Sequence, residues 1–176
     1  GTMVTDRTRV IRHITGDFFT GAYRMTGRMN VGASGAFGIL NDITRSAASL
    51  DDAYISYVSQ PGSILAHFAN VRMSKLGLEA LLVAKREDIG PMNVVRAGYT
   101  RVAQFNVLVT TDAFEVRGMV ELPGKYDPDS LLVENAARFF AMYNVTINAW
   151  LKPDIKFSGE AVLINRTRVS AFCGGE

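Results

Sequence analysis

"AFEVRGMVEL" (Ala113–Leu122) decides how the chain is read. Phe114, Val116, Gly118, Val120 and Leu122 share one side of an extended segment, while Glu115, Arg117 and Glu121 take the other. That is the period-two pattern of a strand with one buried face. Ninety-one residues earlier stands "YRMTGRMNV" (Tyr23–Val31). The same inward positions are there Tyr23, Met25, Gly27, Met29 and Val31, with the central glycine kept. The echo continues outward. Val162, Ile164, Asn165, Arg166, Val169 and Ala171 answer Val71, Met73, Ser74, Lys75, Leu78 and Ala80 at the same shift, and Met142, Val145 and Ile147 answer Leu50, Ala53 and Ile55 at a shift of 92. A one-residue drift is what a single loop insertion and deletion produces, so the chain reads as two tandem copies of one unit.

Each copy is expected to open with a strand (10–15 and 102–109) that leads into the long alternating one. A short helix follows. Its signal is stronger in the second copy, where "DPDSLLVENAA" offers Asp127 as cap and Pro128 at the first helical position. In the first copy "SGAFGILNDI" is the counterpart, with Ser34 as a weaker cap. A third strand (52–58 and 143–150) and a closing hairpin (65–73 with 78–84, and 157–164 with 168–172) complete the unit. The expected fold class is all-β with one short helix per repeat: two tandem small, strongly bent β-sheet or barrel domains related by internal duplication. The boundaries are 4–86 for the first β-repeat, 87–98 for a linker and 99–173 for the second. Gly27 and Gly118, both mid-strand, predict a shared bend.

The order of these pieces in the second copy (Val109-Thr110, Phe114 and Gly118, Leu131 and Asn135, then Ile164-Asn165-Arg166) resembles an uncharacterised bacterial family of small β domains of unknown function. In the first copy Met73-Ser74-Lys75 stands in place of Ile-Asn-Arg. The resemblance implies a fold and no catalytic residues. A looser likeness, of fold alone, is to the Sm-like and SH3-like small barrels.

Composition narrows function mostly by exclusion. A net charge of +2, split between the halves as ten Lys/Arg against eight Asp/Glu up to Gly90 and nine against nine after it, is not the footprint of a dedicated nucleic-acid binder. One cysteine, Cys173, excludes a disulfide framework. His13 and His67 each stand alone, so no metal site is expected, and no cofactor motif is present. "GASGAFG" (Gly32–Gly38) opens a helix but matches neither phosphate-binding pattern, and reads as a turn. No apolar run reaches membrane-span length and no secretory pattern opens the chain, so the compartment reads as cytoplasmic.

The expectation is therefore a non-enzymatic binding or assembly module that self-associates or takes a protein partner through exposed strand edges. The alternative is RNA or single-stranded nucleic-acid binding through Arg-bearing strand faces. The residues singled out for partner or nucleic-acid contact are Arg24, Arg28, Lys75, Arg117, Arg166 and Trp150. A small-ligand pocket between the copies is a third option.

Overall fold

A computed structural model describes residues 11–92 and 101–175. The first half contains β1 (His13–Phe19), β2 (Tyr23–Asn30), helix α1 (Gly35–Asn41), β3 (Ala47–Tyr57), β4 (Ile64–Ser74) and β5 (Ala80–Val83). The second contains β6 (Val102–Thr111), β7 (Phe114–Pro123), helix α2 (Asp129–Leu132), β8 (Phe139–Ala149), β9 (Lys152–Asn165) and β10 (Val169–Cys173). All ten strands belong to one antiparallel sheet, in the order β10-β6-β7-β8-β9-β5-β1-β2-β3-β4. The sheet is open. Among the described residues β4 and β10 are its edges, so the closed barrels that the sequence admitted are not formed. The strands run on from one half to the other through β9 and β5. Parts of the expected linker, residues 93–98, lie outside the described residues; Arg86–Ile89 forms a single 3₁₀ turn.

Alternation at the junction explains why the halves adhere. Leu81 and Val83 of β5, with Ala161 and Leu163 of β9, belong to a core shared with Phe18, Met29, Leu40 and Leu50. The intervening Ala80, Leu82, Val162 and Ile164 belong to a second core, with Val109, Val116, Met142 and Ile147. Successive side chains of a strand point to opposite faces. The two halves therefore cover opposite faces of the same central strands, and β5 is buried along its whole length. Burying each Leu or Val there is worth about 1.5–3 kcal/mol.

At the mid-strand glycines the ladder is irregular in both halves. The β2–β3 ladder shifts register between Thr26 and Arg28, opposite Asp52 at φ 53°. The β7–β8 ladder shifts between Arg117 and Met119, opposite Asn144 at φ 51°. Each partner strand carries an extra residue there, as a β-bulge does. A side chain at Gly27 would come within 3.2 Å of the Ala53 Cβ; one at Gly118 would come within 2.7 Å of a Val145 methyl and 2.8 Å of the Tyr143 carbonyl.

Four expectations need correction. The closing hairpins are not formed: among the described residues β4 pairs with β3, β5 with β1 and β9, and β10 with β6, because β5 is apolar on both faces and buries both between β1 and β9. The first strand starts at His13 and runs to Phe19, rather than 10–15, because it continues through Gly16, where the backbone lies close against Leu81, to pair with β5. The third strands begin earlier than expected, at Ala47 and Phe139. The better-capped helix is the shorter one: α2 spans four residues with none buried, and Pro128 occupies its cap. In α1 Ala36 and Leu40 are buried, and the Asn41 amide exchanges two hydrogen bonds with the Phe139 backbone. Packing outweighs capping here. No helix is long and apolar enough to cross a membrane among the described residues.

Candidate functional site

The feature most open to a partner is the β4 edge. It is eleven residues long and largely exposed. Its outer end carries Ile64, Leu65 and Phe68, each about half exposed. Beside them the His67 ring stacks on Tyr54, with centroids 4.3 Å apart, and its Nε2 meets the Asp52 carboxylate. Tyr23 of β2 stacks on Tyr57, the last residue of β3. Further along the strand the surface turns polar: the Asn70 amide donates to Ser49 Oγ and to the Leu50 carbonyl, and Arg72 is exposed. Unpaired strand edges template pairing with another chain, and charges and polar groups restrain it. Here the restraint covers one end only.

The opposite edge, β10, is short. Ala171 and Cys173 face outward while Phe172 packs on Tyr126 and Phe140. Beside it a groove of about 680 Å³ runs across β6, β7 and β8, lined by Asn106, Leu108, Arg117, Met119, Thr146 and Cys173 among others. Smaller cavities lie under Met92, Phe37 and Tyr143 (about 240 Å³) and beside Trp150 and Tyr57 (about 340 Å³).

The six residues singled out from sequence are not brought together. Lys75 is buried at 2 % exposure, and its ammonium donates to the Ile39 and Asp42 carbonyls at the end of α1. Desolvation lowers its pKa below the ordinary lysine value. Arg166 does the corresponding work in the second half, donating to the Glu134 and Ala137 carbonyls. Arg24 is held by Asp17 in a two-bond fork and lies 5.0 Å over the Phe157 ring. Arg28, Arg117 and Trp150 are exposed. Arg28 is on β2 and Arg117 on β7, with four strands between them; the Trp150 indole donates to the Asp112 carbonyl.

Sequence reasoning missed two arrangements. Arg86 forms a two-bond ion pair with Glu121 and sits 3.8 Å over the Tyr143 ring. The hydrogen bond from Arg86 holds the Glu121 carboxyl below its usual pKa, and burial raises that of Tyr143. No motif marks this cluster, since its members are 35 and 57 positions from Arg86 in the chain. Asn165 is fully buried: its Nδ2 donates to the Leu78 carbonyl at 2.8 Å, while its Oδ1 accepts from the Thr167 amide and hydroxyl. The Ile-Asn-Arg motif pointed at this residue, but as a turn former rather than as a bond between the halves. Each histidine has a carboxylate neighbour, Asp51 for His13 and Asp52 for His67. Among the described residues no group of three or more His, Cys, Asp or Glu converges as a metal site would need.

Comparison with protein-family models, with curated proteins and with solved structures returns no match.

Proposed function

We propose that the chain consists of two tandem copies of one five-stranded unit and works as a non-enzymatic assembly module that binds further copies of itself. Matching ladders support the duplication. Within each half the strands run fifth-first-second-third-fourth across the sheet. Val107 faces Gly118 as Gly16 faces Gly27, and Phe139 faces Asn165 as Ala47 faces Ser74. Each unit is a small, strongly bent sheet, kinked at Gly27 or Gly118.

The observation that carries the assembly reading is the eleven-residue β4 edge, which pairs on one side only among the described residues and exposes Ile64, Leu65 and Phe68. An edge of that length with apolar side chains is a pairing surface unless something covers it. The competing reading, a single-stranded nucleic-acid reader, draws on Arg117, Asn106 and Asn144 along the groove of the second half. It lacks an aromatic platform among the groove's lining residues, and its cations are dispersed over the sheet.

Size-exclusion chromatography with light scattering and absorbance at two wavelengths, on protein purified without nuclease, separates the two. Self-assembly predicts an oligomer that falls apart on dilution and changes little with salt. A monomer at every concentration overturns the assembly reading. So does co-eluting nucleic acid that is lost at high salt, which puts the competing reading first.

A further inference from the structure

We propose that copies of this chain join head to tail, with β4 of one copy pairing with β10 of the next in the register that β9 and β5 use inside the chain. This rests on the self-assembly reading above and adds to it the two surfaces and their alignment.

The template is the internal junction, where Ala80 faces Ile164, Leu81 faces Leu163, Leu82 faces Val162 and Val83 faces Ala161. Both strands of that junction have a counterpart at a free edge. β10 lies on β6 as β5 lies on β1: Phe172 faces Val109 and Cys173 faces Leu108, where Leu81 faces Phe18 and Leu82 faces Asp17. β4 lies on β3 as β9 lies on β8: Met73 faces Ala48 where Ile164 faces Phe140. The fourth strand of the second half already pairs with the fifth strand of the first half. The free fourth strand (β4) and the free fifth strand (β10) are then the two sides of the same contact, left open at opposite ends of the sheet. Carried over, the register sets Met73 opposite Ala171, Arg72 opposite Phe172, Val71 opposite Cys173 and Asn70 opposite Gly174.

Two further features fit. At the junction the β8–β9 hairpin lays Phe157 on Phe19, with centroids 5.0 Å apart, and under Arg24. The corresponding β3–β4 hairpin ends in the exposed Ile64, Leu65 and Phe68. The face that would receive it in the next copy bears the groove of about 680 Å³ lined by Leu108, Arg117 and Met119. The intermolecular contact is also the weaker of the two. Arg72 and Asn70 stand where the junction has the buried Leu163 and Ala161, so one face of the ladder stays polar and the union is reversible. A head-to-tail contact of this kind closes into a ring or extends as a filament, according to the rotation per copy.

Val71→Cys against the natural Cys173 tests the register, using a short bifunctional thiol reagent and denaturing gels. Side chains directly opposite across an antiparallel ladder are about 5 Å apart, within reach of such a reagent. The expected result is a ladder of multiples of the chain mass, lost in wild type and lost again in Val71→Cys/Cys173→Ser. Cross-linking that survives Cys173→Ser means that β4 pairs with β4, and a cross-link confined to single chains means that the sheet closes on itself. Either result overturns the head-to-tail contact, and the first leaves self-assembly standing. A monomer in light scattering at every concentration overturns both. Proline on an edge removes a ladder donor. An equimolar mixture of Ala69→Pro and Cys173→Pro chains is expected to give a dimer and nothing larger; either variant extending alone overturns the proposal.

Discussion

The two halves share a ladder but not an environment. Strand for strand, β4 and β9 hold the same place, yet β9 ends in five buried residues while β4 has one. Leu163 is buried where Arg72 is exposed, and Asn165 is buried where Ser74 is exposed. The same backbone geometry thus supports a dry joint in one place and a wetted edge in the other. The side chains, not the strand order, decide which strand is covered.

That contrast yields paired tests, read by urea unfolding at one fixed protein concentration. The largest effect is expected for Leu163→Ala, which empties a site shared by both halves and should cost about 4 kcal/mol, while Arg72→Ala should stay within about 0.5 kcal/mol. Equal effects would mean that β9 is no more a joint than β4 is. Asn165→Ala should cost about 3 kcal/mol, because it strands the buried carbonyl of Leu78 and the amide of Thr167, against almost nothing for Ser74→Ala. Gly118→Ala should destabilise by about 2 kcal/mol and Gly27→Ala by about 1 kcal/mol. The added methyl meets a carbonyl and a valine methyl in the first case but only the small Ala53 and backbone in the second. If the order reversed, the second half's ladder would be the more pliable one at its glycine.

The smallest effect concerns pH. Glu121 has a lowered pKa in the folded chain, so the unfolded chain binds its proton first on acidification. The contribution of the Arg86–Glu121 pair is therefore present above the ordinary value of 4.5 and is lost as pH falls below it through the folded value. Since Arg86 is half exposed, about 1 kcal/mol or less is at stake. Glu121→Gln should flatten that part of the stability curve; an unchanged curve would show the pair to be energetically silent.

Much of the sheet is legible in the sequence because its strands have one covered face, which writes period two into β2 and β7. The close approaches at Gly27 and Gly118 were legible for the same reason: an inward position without a side chain means that another backbone comes close. What pairs with β5 was misread: the expected hairpin with β4 is replaced by pairing with β1 and β9. β5 is covered on both faces, so "ALLV" carries no alternation, and its partner β9 lies about eighty residues away with no local signal. The functional residues divide similarly. The sequence pattern reads Lys75 and Arg166 as cations of hairpin turns, but Lys75 satisfies carbonyls at the end of α1 and Arg166 satisfies carbonyls of the turn that follows α2. That use depends on where those carbonyls land, which no spacing in the sequence reveals.

The β9–β5 joint is a contact of strand on strand, so it does not depend on which half comes first in the chain. A circular permutant that begins with the second half and finishes with the first would keep every strand's place within its own half. It would keep Leu81, Leu82, Val162 and Leu163 buried at the joint and Arg72 and Asn70 on the rim. The greasy version of the strand pair is covered in either order, and the polar version stays at the rim, where polar groups restrain pairing.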